Sequence, residues 1–237
     1  MKHQIRSLHV VHQHPPWLLH GEGFILNYWM SPSFIKAHHT FGLAPSPIGR
    51  VAQVMLVRYK DSPIGPYDEL LFMDHPLICK RLLSTIPKIF VSTDASVEHG
   101  KKFWGIPKQR AEFHWQQHDD HLSCEICFGQ QSLNLKLYQA KQTRHIYMNS
   151  HHIPAAMLRI QQDWQGQRFQ FAPQFRAKIA KLKKAIWQSS PIFPDFTQAK
   201  YLHSFYIPEF QLVFPKAKIT ALKKGVSSET PFIHIRA

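Results

Sequence analysis

Apolar positions fall into short runs separated by turn formers. Val51 to Tyr59 reads as a buried strand. Asp61-Ser62-Pro63-Ile64-Gly65-Pro66 is a strong turn, and Tyr67 to Met73 resumes as a strand. Lys88 to Thr93 predicts another strand, and Ala95 to Phe103 a short helix with Asp94 as its N-cap. Gly105-Ile106-Pro107 ends that helix. Ala111 to His118, His121 to Phe128 and Ser132 to Gln139 alternate at period two, the pattern of an antiparallel meander. Glu209 to Ile219 predicts a late strand, with Pro215 at an edge or bulge. Phe175, Ile179, Leu182 and Ile186 recur at helical spacing with lysines mostly between them, so 175–186 predicts a helix. Residues 15–50 are rich in aromatics and turn formers, and 41–47 reads as irregular. The sum is an α+β, mostly antiparallel β fold in a single domain spanning 1–237.

Composition narrows the class. With 44% apolar and only 19% charged residues over 237 positions, a disordered chain and a coiled coil are excluded. Lys and Arg number 29 against 15 Asp and Glu, a net charge of +14 that favours anionic partners, small or polymeric. The lysines of 176–184 could face a phosphate backbone or simply solvent. No helix-turn-helix or aromatic RNA-binding pattern accompanies them, so no specific nucleic acid is expected. No apolar run reaches the ~18 residues of a membrane span. His12, Gln13, His14, Pro15 and Pro16 interrupt any secretory leader, and three cysteines suit a reducing cytoplasm.

Metal chemistry finds little support. Cys124-Glu125-Ile126-Cys127 has no second CxxC, and on a strand its cysteines point to opposite faces. The histidines, including His12, His14, His20 and the pairs His38-His39 and His151-His152, match no zinc spacing. Gly100-Lys101-Lys102-Phe103-Trp104-Gly105 is not a phosphate-binding loop. More specific are two blocks about 40 residues apart. Ser62-Pro63-Ile64-Gly65-Pro66-Tyr67-Asp68-Glu69 puts a carboxylate where a strand begins, and Gly100-Lys101-Lys102-Phe103-Trp104-Gly105-Ile106-Pro107-Lys108 puts a lysine among Trp104, Ile106 and Pro107. A nucleophilic amine must be neutral. A lysine at its reference pKa of about 10.4 needs roughly 4–5 kcal/mol from its surroundings to be so at neutral pH, and desolvation acts in that direction.

At these two blocks, and at Phe214-Pro215-Lys216-Ala217-Lys218-Ile219, the chain resembles the acetoacetate decarboxylase family over roughly residues 45–220. The resemblance implies a closed, barrel-like antiparallel sheet around a central cavity, with a few outer helices and a divergent segment 1–45. It implies that Lys108 forms a Schiff base with a keto acid and that Glu69 orients substrate or handles a proton. Tyr67, Trp104 and Ile106 would then support the pocket. No metal or organic cofactor is implied, because the imine is the electron sink; subunits would assemble as homo-oligomers. Two departures stand out. Gln109 replaces the second lysine of the decarboxylase motif, so burial must activate Lys108, with help from Arg110, Arg50 or Arg58. Residues 7–49 contain no arginine to hold a substrate carboxylate. The substrate therefore stays open among keto acids and related carbonyl compounds, including those of aldolase–dehydratases. The alternative is a non-catalytic small-molecule binding protein on the same fold.

Overall fold

A computed structural model of the chain describes residues 14–78, 81–139 and 144–222. The elements follow in chain order: β1 (Trp17–Met30), α1 (Pro32–Ala37), β2 (Arg50–Asp61), β3 (Tyr67–Asp74), β4 (Leu77–Ile78), β5 (Arg81–Leu82) and β6 (Thr85–Val91). Next come α2 (Asp94–Trp104), β7 (Gln109–Arg110), β8 (Glu112–Gln117), β9 (Leu122–Phe128), β10 (Gln131–Gln139), β11 (Ile146–Asn149) and α3 (Ala155–Leu158). The last are β12 (Ile160–Trp164), β13 (Gln167–Phe171), β14 (Gln174–Gln188), β15 (Lys200–Phe214) and β16 (Lys218–Ala221). The main sheet runs β7-β6-β3-β2-β1-β15-β14-β10-β9-β8, with β11 added on β14. All its pairings are antiparallel except β6 with β7. It curls into a nearly closed, barrel-like wall. The ends approach where Phe128 of β9 meets Phe90 of β6, ring centroids 5.1 Å apart.

Strict alternation along the shared strands gives this wall two buried faces. Leu26, Val54, Leu56, Leu70 and Phe72 pack with Ile126, Leu135 and Leu182 into one aromatic-rich core. The intervening residues Ile25, Met55, Val57, Glu69 and Leu71 line a cavity of about 790 Å³ on the other face. Helix α2 and the small sheet β12-β13-β16 lie over that face, where Trp17, Trp104, Ile106 and Phe169 belong to a second core.

Three expectations need correction. The segment 175–186 is a strand, within β14, and not a helix. Its first half turns Phe175, Ala177 and Ile179 to the cavity. Its second half turns Leu182 to the opposite core, and past a register irregularity Ala185 and Trp187 pack there too. Changing the buried face mid-strand spaces the apolar residues as a helix would. The N-cap of α2 is Thr93, whose hydroxyl accepts from the Ser96 amide at 3.3 Å; Asp94 lies in the first turn. The late strand is interrupted at Pro215: β15 ends at Phe214 and β16 pairs with β13 instead. In addition, the 15–50 stretch contains β1, a central strand whose neighbours are β2 and β15. Met1 to Arg6 and His12 lie outside the described residues.

Candidate active site

Lys108 reaches the cavity because of how α2 ends. Gly105 adopts a left-handed conformation (φ 62°), and its amide closes the helix onto Gly100 and Lys101 carbonyls. Trp104 then donates from its indole to the Pro215 carbonyl at 2.7 Å, fixing the turn. The chain doubles back through Pro107, and the Lys108 side chain runs along α2 at Gly100. A Cβ on Gly100 would lie 2.5 Å from Lys108 Cδ. The absence of a side chain there is what admits the lysine stem.

The Lys108 amine is buried with its partners. Its Nζ donates to Glu69 Oε2 at 2.8 Å and to Ser96 Oγ at 3.0 Å. It also stands 5.3 Å from the Tyr67 ring centroid. Glu69 arrives from β3, and its Oε1 accepts from the Tyr59 hydroxyl at 3.1 Å. Residue exposures are 6% for Lys108 and 5% for Glu69, so both side chains are shielded from water. The Tyr59 and Tyr67 rings lie 4.5 Å apart. Burial, then the Glu69 carboxylate, pushes both phenols well above the usual tyrosine range. Both stay protonated at neutral pH, and Tyr59 is the donor to Glu69. The cluster can therefore pass a proton between amine and carboxylate while the Tyr59 hydroxyl holds that carboxylate in place.

The structure brings together Lys108, Glu69, Tyr67, Trp104 and Ile106, all lining the cavity. Arg50 also lines it, but at a distance in sequence register from Glu69. Its guanidinium is tied to Asp74 at 2.5 and 2.7 Å and to the Ala44 carbonyl at 2.7 Å. The remaining residues are not among those lining the cavity. Gln109 accepts from Lys88 Nζ at 2.5 Å. Arg110 is exposed and donates to the Ala111 carbonyl. Arg58 pairs with Glu22 at 3.3 Å and lies 4.8 Å over the Trp115 ring. Two contributors escaped the motif reading, Ser96 and Tyr59. Gly100 opens the second motif block, and a glycine inside a helix usually marks a close approach.

Outside this cluster, Cys124 and Cys127 are free on β9. No grouping of three or more metal-binding side chains occurs among the described residues. No helix among them is long and apolar enough to cross a membrane.

No family model matches the chain, and no curated protein matches it in sequence. Solved structures do match. An acetoacetate decarboxylase from Legionella pneumophila superposes with a TM-score of 0.66 at 15% identity, over 87% of this chain and 88% of that one. The chain has the acetoacetate decarboxylase fold. An acetoacetate decarboxylase-like enzyme from Sphingomonas wittichii RW1 gives a TM-score of 0.63 at 9% identity, over 89% and 95% of the two chains. The enduracididine biosynthesis enzyme MppR, complexed with pyruvate, gives 0.57 at 14% identity, over 87% and 91%. The decarboxylase fold thus spans nearly the whole chain.

Proposed function

We propose that this protein is a Schiff-base-forming lyase acting on a keto acid or related carbonyl compound. The observation that carries this reading is the buried Lys108 amine, 2.8 Å from Glu69 at a cavity wall. The Lys108 ammonium gives a proton to the Glu69 carboxylate, and the neutral amine attacks the substrate carbonyl carbon. The carbonyl oxygen takes up protons and leaves as water, giving a protonated imine. With a β-keto acid, the bond to the carboxylate carbon then breaks, its electron pair moves toward the imine nitrogen, and carbon dioxide departs. The enamine takes a proton on carbon, and water releases the ketone and regenerates the amine. Tyr59 stays protonated and keeps Glu69 oriented.

A second reading, a non-catalytic binding protein, draws on Gln109, which turns to Lys88 and leaves Lys108 without a lysine neighbour from its own motif. Borohydride reduction in the presence of acetoacetate or pyruvate separates the two. Mass spectrometry should find a reduced adduct on Lys108, absent in Lys108→Met. Adducts spread over surface lysines, or none at all, favour the binding protein.

The site needs no cofactor for this chemistry, and a cytoplasmic setting suits a chain with three thiols. We also propose self-association. Among the described residues β11 pairs with β14 alone and exposes Ile146 (67%) and Tyr147 (76%), apolar surface that a second copy would cover. Light scattering should give a mass above 27.7 kDa.

A further inference from the structure

The cavity is far larger than a four-carbon acid needs, and its wall is ordered by strand register. Level with the reactive end, Glu69 pairs with Val57, and Val57 with Gly23. One step along, five strands present Phe205, Ile25, Met55, Leu71 and Ile89 side by side, each paired with the next. All five line the cavity, and none is polar. A further step brings His203, Asn27 and Gln53 into one row. There Gln53 Nε2 donates to Asn27 Oδ1 at 3.0 Å. From Glu69 to this polar row is four strand residues, about 13 Å at the usual rise. Among the described residues, the lysine and arginine side chains lining the cavity are Lys108 and Arg50, and each is already held by a carboxylate, Glu69 and Asp74 respectively. Within those residues the space beyond Lys108 offers a second anionic group apolar contact and no unpaired lysine or arginine. Pockets of roughly 300–1,000 Å³ accept drug-sized ligands, and about 790 Å³ lies well inside that range.

We propose that the substrate is a carbonyl compound bearing an apolar chain of medium length. Its carbonyl sits at Lys108 and its chain crosses the Phe205–Ile25–Met55–Leu71–Ile89 band toward Asn27 and Gln53. This rests on the Schiff-base reading for the carbonyl end, while the apolar band stands independently of it. A short keto acid leaves the band unfilled. A longer chain gains roughly fourfold in affinity per buried methylene.

The test compares acetoacetate with β-ketooctanoate in the borohydride experiment, beside binding read from intrinsic tryptophan fluorescence. The longer acid is expected to half-saturate Lys108 adduct formation at on the order of a hundredfold lower concentration. In Met55→Trp, with its fold checked by thermal melting, that ratio should fall below about tenfold, because the new ring fills the band. Equal half-saturation by both acids in the wild type overturns the chain-length proposal and leaves the Schiff base standing. Tight fluorescence-detected binding of the longer acid without any adduct supports the proposed ligand class and removes the Schiff base. Neither adduct nor binding with either acid overturns both.

Discussion

Several side chains sit in states that water would not allow, and each leaves a measurable trace. Lys88 is largely buried over the Phe90 and Phe128 rings, and burial drops its amine to about 8. A depressed value means that the unfolded chain binds the proton more readily. Wild-type stability therefore rises as pH climbs from about 8 to about 10.4. Lys88→Met should raise the melting temperature near pH 6, with the gain shrinking toward zero by about pH 10, followed by circular dichroism. The tyrosines behave in the opposite sense. Burial pushes Tyr28 up to about 12 and raises Tyr59, Tyr67 and Tyr206. Their contribution to stability is complete below the unfolded value of about 10 and is lost as pH rises toward the folded values. Near-ultraviolet titration should accordingly fall well short of the amplitude of all seven tyrosines just above pH 10, the remainder appearing as the fold is lost.

Elements decide whether these side chains meet. Helix α2 supplies Ser96 as a partner and Gly100 as a groove, and its left-handed end turns the chain toward Lys108. Gly100→Ala should keep the helix, since alanine is the better helix former by about 1 kcal/mol, yet push the lysine stem aside. Adduct formation at Lys108 should then fall at least about tenfold while the far-ultraviolet spectrum is unchanged. Motif blocks made Lys108, Glu69, Tyr67, Trp104 and Ile106 legible from the sequence, because local turns and order fixed their positions. Ser96 and Tyr59 were not legible: each joins the cluster only through pairing between elements distant in the chain. The meander β8-β9-β10 was legible from period two, and β2, β3 and β6 from apolar runs bounded by turn formers; β1 and the short strands β11, β12 and β13 were not. β14 was not, because it buries one face and then the other, and its alanines and lysines also suit a helix.

For the whole molecule, one wall carries two cores. A ligand in the cavity contacts residues whose neighbours in sequence pack on the far side, as Met55 does between Val54 and Leu56. Binding should therefore stabilise both layers together. A medium-chain methyl ketone at one hundred times its Kd adds about 2.7 kcal/mol, or roughly 5–10 °C for a chain of this size. Far-ultraviolet dichroism and tryptophan fluorescence should move by the same amount in one coincident transition. Two separated transitions would mean that the layers unfold independently.

The register that sets Glu69 one step from the apolar band also divides inheritance within the cavity. Reaction and fit occupy successive rows of the same strands. Exchanges at Ile25, Met55 or Leu71 can re-tailor the tail that is accepted while the lysine and its carboxylate are passed on intact. A lineage built this way diversifies by changing its appetite before it changes its chemistry.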